Sequence, residues 1–185
     1  MHALRGWHYP RLVAHRGGGI LAPENTRAGL EAARAYGFRA VEFDVMLTGE
    51  GTPVLMHDEV LGRTVRASGR IADYTYEALR HLDAGSWFSH KFAGEPVPTL
   101  AEALAWLDRH GIWAKIEIKP ASGAESETGH IVASMVDAWV RKGTTGDKAG
   151  KRRCVPPPLL SSFSPEALGA AQAAAPSVSD HPRDG

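Results

Sequence analysis

The stretch Ala14-His-Arg-Gly-Gly-Gly-Ile-Leu-Ala-Pro-Glu-Asn-Thr26 decides how the rest of the chain is read. A short apolar run, Arg11-Leu-Val-Ala14, stops at a histidine and an arginine. It then turns through three glycines toward Asn25, which is placed to cap a helix. A strand ending this way carries an imidazole and a guanidinium to its carboxyl end, where α/β folds keep their chemistry. A buried structural histidine and a surface arginine beside a flexible turn would spell the same letters, so the neighbours must decide. Ala28, Leu30, Ala32, Ala33, Ala35 and Tyr36 have helical spacing, with Gly37 as the stop. Ala40-Val-Glu-Phe-Asp-Val45 then reads as a second strand. Strand, helix, strand implies parallel pairing and an α/β fold.

Further along, Leu47 to Thr52 is a turn and Pro53-Val-Leu-Met-His57 a short strand. Residues 58–98 read as a mixed insertion, with a strand fragment at Arg70-Ile71 and one or two helical turns from Thr75 to Leu82. Thr99-Leu-Ala-Glu102 is a capping box, and Leu100, Ala103, Leu104 and Leu107 form one stripe of a helix that Gly111 ends. Ile112 to Lys119 is the next strand, stopped by Pro120, and Glu125 to Arg141 the next helix. The segment from Lys142 to Val155, with Lys148, Lys151, Arg152 and Arg153, reads as a solvated linker. Leu159 to Phe163 is a strand, Ser164-Pro165 opens a helix to about Ala174, and 176–185 reads as a disordered tail.

Composition narrows the class. Lys plus Arg equals Asp plus Glu at 21 each, so no overall field draws nucleic acid or acidic membrane. A hydrophobic share of 43% with five Trp is that of a globular chain. The one cysteine, Cys154, excludes an internal disulfide or a cysteine-built metal cluster and fits a cytoplasmic setting. Residues 1–10 lack a signal-peptide core, and no apolar run approaches the roughly 18 residues of a membrane span.

Side chains two apart on a strand share a face. Glu42 and Asp44 therefore point one way and Val41, Phe43 and Val45 the other, while Glu117 and Lys119 share a face opposite Ile116 and Ile118. Parallel strands covered by helices should be apolar on both sides, so three inward carboxylates need a counter-charge. A divalent cation supplies it, and oxygen-only ligands favour Mg²⁺ or Ca²⁺ over zinc. His15 and His57 both end strands and suit general acid and base work near neutral pH. Arg16 and Lys119 can neutralise the oxygens of a phosphodiester. Singly, Glu42 could be an edge charge, His57 a satisfied core histidine and Lys119 a solvated strand end. Together they make the set that phosphoryl chemistry requires.

On these residues the chain resembles the glycerophosphodiester phosphodiesterase family, most closely its bacterial cytoplasmic members. The matching segments are Ala14-His-Arg-Gly, Pro23-Glu-Asn-Thr26, Val41-Glu-Phe-Asp-Val45, Met56-His57-Asp58, Leu82-Asp-Ala-Gly-Ser-Trp-Phe88, Gly94-Glu-Pro-Val-Pro-Thr-Leu100, Ile116-Glu-Ile-Lys-Pro120 and Leu160-Ser-Ser-Phe163. The resemblance implies a TIM-type (β/α) barrel with Glu42, Asp44 and Glu117 on a divalent metal. It also implies His15 and His57 as the acid/base pair, and Arg16 and Lys119 on the substrate phosphate. The implied reaction is hydrolysis of a glycerophosphodiester to an alcohol and glycerol 3-phosphate, by way of attack from the substrate's own glycerol 2-hydroxyl. Residues 58–98 match the family's insertion after the second barrel strand. A full barrel takes about 250 residues, whereas strands at 12–14, 40–45, 112–119 and 159–163 make about half of one. The expectation is thus a single, incomplete barrel domain that self-associates through exposed edges, either an active hydrolase or an inactive fragment or assembly subunit.

Overall fold

The computed structural model describes residues 9–145 and 155–179. Cys154, the basic cluster from Lys148 to Arg153 and the first eight residues lie outside the described residues. The elements are α1 (Arg27–Ala35), β1 (Ala40–Leu47), β2 (Pro53–Leu55), α2 (Tyr76–Leu79), α3 (Leu100–His110), β3 (Trp113–Ile118), α4 (Glu125–Thr145), β4 (Leu159–Ser161), α5 (Pro165–Ala174) and α6 (Pro176–Ser179).

The strands form one sheet in the order β2-β1-β3-β4. β1, β3 and β4 run parallel, with Asp44 beside Glu117 and Glu117 beside Ser161, while β2 lies antiparallel on the far side of β1. Helices α3 and α4 intervene between the parallel strands, as βαβ connection requires. This is the α/β, TIM-type architecture, open rather than closed among the described residues.

Period-two alternation sorts the strand residues as expected. Val41, Phe43, Val45, Ala114, Ile116 and Ile118 join the main core with Leu30 of α1, Leu104 and Leu107 of α3 and Val132 and Val136 of α4. Phe43, Ile116 and Ile118 are wholly buried, each contributing roughly 1.5–3 kcal/mol. A second apolar cluster, with Met46, Val54 and Met56 against Leu61, Val65, Ile71, Leu79 and Val97, seats the insertion against β2 and the carboxyl end of β1. Glu95 near its end accepts a hydrogen bond from Ala28 N–H at 2.7 Å, placing a carboxylate on the positive end of α1. No helix among the described residues is long and apolar enough to cross a membrane.

Helix starts follow the sequence closely. Thr99 and Glu102 cap α3 reciprocally, Gly111 ends it at φ 62°, and Ser164 caps α5 with Pro165 at its first position. Five readings change. The strand expected at 12–14 pairs at Ala14 alone, and Arg16 (φ 51°) and Gly17 (φ 82°) turn the chain left-handed directly after it. Asn25 does not cap α1; it is itself left-handed at φ 54°, and Thr26 caps by accepting from Gly29 N–H at 3.1 Å. Arg70-Ile71 is no strand: Arg70 pairs once with Val60, and residues 71–73 then wind into a tight helical turn. α4 continues past Arg141 to Thr145. The stretch read as a disordered tail begins with the helical turn α6, which Pro176 opens and Val178 packs onto the main core; residues 180–185 lie outside the described ones.

Candidate active site

The site is built where Ala14, the middle of β1, the residues that follow β2 and the last residues of β3 lie side by side. Ala14 N–H donates to the Ala40 carbonyl at 3.0 Å and Glu42 N–H to the Ala14 carbonyl at 2.8 Å, which sets His15 and Arg16 beside Glu42 of β1. The left-handed turn is held on both sides. Arg16 N–H donates to the Glu42 carboxylate at 2.9 Å, and its carbonyl accepts from Asn25 N–H at 3.0 Å. Left-handed geometry at a non-glycine residue is strained and persists only where its surroundings over-determine it.

Glu42, Asp44 and Glu117 bring carboxylate oxygens within 4.8 Å of one another, and all three residues are buried. Burial pushes the Glu42 carboxyl above its ordinary range, Asp44 adds to the push, and the Arg16 N–H opposes it. Three buried oxygen donors whose charges work against each other are what a hard divalent cation relieves, so these residues fit the metal expected of them. Asn25 steadies the cluster, donating from its amide to Asp44 Oδ2 at 2.9 Å while its oxygen accepts Asp44 N–H at 3.1 Å. Lys115 adds a cation 4.0 Å from Glu117.

The other predicted residues join this centre. His15 Nε2 lies 3.9 Å from Glu42, with its side chain 71% exposed. The Arg16 guanidinium donates to Glu24 at 2.9 Å, and its Nε, buried and without a hydrogen-bond partner among the described residues, stands 3.6 Å from Asp44. His57 follows β2; its Nδ1 lies 2.6 Å from Asp58 and its Nε2 3.0 Å from Lys119 Nζ. An ammonium can only donate and a carboxylate only accept, so these partners assign the proton to Nδ1 and the lone pair to Nε2.

Sequence reasoning assigned no role to Glu24, Asp58 or Arg63, and took Asn25 for a cap. Arg63 donates from Nε to Asp58 at 2.5 Å and from its two terminal nitrogens to Glu24 at 2.8 and 2.7 Å. Burial works to raise both carboxyls, but Arg63 together with His57 at Asp58, and with Arg16 at Glu24, outweighs it and holds both below their ordinary values. Glu24 and Asp58 stand inside segments that match the family, and that match was the signal that could have found them. Arg63 lies in a loop, where no periodicity marks it.

The chain is similar to known proteins. The model of the glycerophosphoryl diester phosphodiesterase family matches residues 15–181. The glycerophosphodiester phosphodiesterase of Caldanaerobacter subterraneus subsp. tengcongensis is 42% identical over 108 residues, covering 58% of this chain and 44% of that protein. Glycerophosphodiester phosphodiesterase 1 of Mus musculus is 41% identical over 109 residues, covering 58% of this chain and 33% of that one. A phosphodiesterase of Oleispira antarctica, solved with the product sn-glycerol-3-phosphate, superposes at a TM-score of 0.78 and 37% identity, covering 90% of this chain and 63% of its own. The chain spans less than half the length of these two curated relatives.

Proposed function

The chain belongs to the glycerophosphoryl diester phosphodiesterase family, and from that premise we propose that it hydrolyses glycerophosphodiesters to an alcohol and glycerol 3-phosphate. The observation that carries the reading is the meeting of three carboxylates within 4.8 Å with two histidines and two cationic side chains at one end of the sheet. The product named for the Oleispira antarctica relative is what such a cleavage leaves.

Glu42, Asp44 and Glu117 would hold the divalent cation, Mg²⁺ or Ca²⁺, which when bound neutralises the cluster and withdraws charge from a phosphoryl oxygen. Arg16, tethered to Glu24 through one terminal nitrogen, offers the rest of its guanidinium, and Lys119 its ammonium, to the other non-bridging oxygen. His57 is the base. Its Nδ1–H stays on Asp58, and its Nε2 takes the proton of the attacking hydroxyl, which displaces Lys119 as the donor there. His15 is the acid and gives a proton to the departing alkoxide, which leaves as the alcohol. Where the attacking group is the substrate's own 2-hydroxyl, water opens the cyclic phosphate left behind with the roles reversed. His15 then takes a proton from the water and His57 returns one to the 2-oxygen, giving glycerol 3-phosphate. A small-molecule substrate and a cytoplasmic setting belong to the same proposal.

Turnover of glycerophosphocholine with Mg²⁺ or Ca²⁺ should be lost in EDTA, and His15→Ala and His57→Ala should each lower kcat by about 10²–10⁴-fold while leaving the chain folded. Near-normal kcat in either variant removes that histidine from the mechanism. A folded, metal-loaded wild type without turnover favours the inactive or assembly-subunit reading.

A further inference from the structure

The hydrogen bonds around the site form one connected chain of side chains. Lys119 meets His57, His57 meets Asp58, Asp58 meets Arg63, Arg63 meets Glu24, and Glu24 meets Arg16. Arg63 stands between the two carboxylates of this chain and reaches Glu24 across 39 residues of sequence. We propose that Arg63 is a positioning residue of this site, fixing His57 through Asp58 and Arg16 through Glu24.

The geometry on each side supports this. Arg63 Nε occupies Asp58 Oδ2, which leaves Oδ1 as the oxygen that faces His57 Nδ1. A carboxylate with both oxygens spoken for does not rotate, and so it holds the imidazole in one orientation and one tautomer. On the other side Arg63 forks across both Glu24 oxygens and leaves Arg16 only a share of Oε1. Arg16 is thereby tethered by one terminal nitrogen while its Nε stays unpaired. Without Arg63, Glu24 is free to take the Arg16 guanidinium in a two-pronged grip and draw it away. A lysine could not do both jobs, because only the planar guanidinium presents three donors to two carboxylates at once. The Arg63 side chain is 46% exposed, and a lone ion pair so exposed would count for little; the two-pronged, networked geometry is what sets this one apart. The residue belongs to the insertion, which thus supplies part of the site's frame. The proposed reaction enters only for what the two held side chains do, not for their being held.

The test uses the full chain with ¹⁵N-labelled histidine. In the wild type the His57 ring nitrogens should report a fixed Nδ1–H tautomer. In Arg63→Met they should move toward the averaged values of a freely exchanging imidazole, with His15, which touches Glu42 and not this chain of contacts, unmoved. Arg63→Gln, which also lacks the charge, is read in the same way if the methionine variant does not fold. His57 signals unchanged in a folded variant, or His15 moving equally, overturn the proposal. Where the wild type turns over substrate, Arg63→Met should lower kcat about tenfold or more and raise KM. A fall in kcat with His57 signals unmoved also counts against positioning. The nuclear resonance measurement needs no turnover, so an inactive wild type would sink the proposed reaction and leave this test standing.

Discussion

A buried carboxylate needs donors, and Asp44 takes one from a residue whose own backbone is strained to reach it. The Asn25 amide donates to Asp44 Oδ2 at 2.9 Å, its oxygen accepts Asp44 N–H at 3.1 Å, and its φ is 54°. Asparagine tolerates that region better than other residues with a Cβ. Alanine would keep the strain and strand two buried Asp44 groups, so Asn25→Ala should cost about 2–4 kcal/mol in urea denaturation and weaken Mg²⁺ or Ca²⁺ binding by titration calorimetry. An unchanged midpoint and affinity would deny Asn25 this role. The same residue shows where reading a sequence stops. Glu42, Asp44 and Glu117 were legible because strand alternation forces them onto one face whatever lies around them. Asn25 stands two places before α1, next to the true cap, where a cap and an unrelated clamp look alike, and its partner is 19 residues away.

Elements were most legible where local chemistry fixes them. The capping box at Thr99, the left-handed Gly111 and the Ser-Pro start of α5 are all decided within four residues, and each falls where expected. Strands that depend on a neighbour were harder: the run at 12–14 pairs only at Ala14, and Gly17, past the left-handed Arg16, returns to β1 by donating to the Glu42 carbonyl at 2.8 Å. Helix crossings have no local signal at all. Gly129 of α4 lies so close to α5 that an added Cβ would overlap the Ala167 carbonyl oxygen, a backbone atom that cannot swing aside. Gly129→Ala should therefore destabilise the chain by about 1–3 kcal/mol through overpacking. Gly169 of α5 has nothing within 4 Å of an added Cβ, so Gly169→Ala should stabilise by roughly 0.5–1 kcal/mol from helix propensity and a less free unfolded chain. Thermal melts of the two variants should shift in opposite directions. A Gly129→Ala variant that melts no lower than the wild type would mean that the crossing is not set by Gly129.

At the scale of the molecule, parallel pairing was legible because helices alternate with strands, whereas closure of the sheet was not a property of any one segment. β4 pairs with β3 on one side and with no strand on the other among the described residues, and Leu12, before the pairing at Ala14, stands 75% exposed. Phe163, just past β4, is 92% exposed. Unpaired strand groups next to exposed apolar side chains are a template for pairing with another chain. The protein should therefore self-associate as its concentration rises through the micromolar range, read as a concentration-dependent sedimentation coefficient. A lysine at that edge opposes such pairing, and Phe163 is exposed enough to be replaced without disturbing the core. Phe163→Lys should shift the population toward monomer with the melting temperature held. A wild type that sediments as a monomer throughout that range and melts in one cooperative step would show that the open edge is not a docking edge. Association unmoved by Phe163→Lys would place the contact elsewhere on the surface.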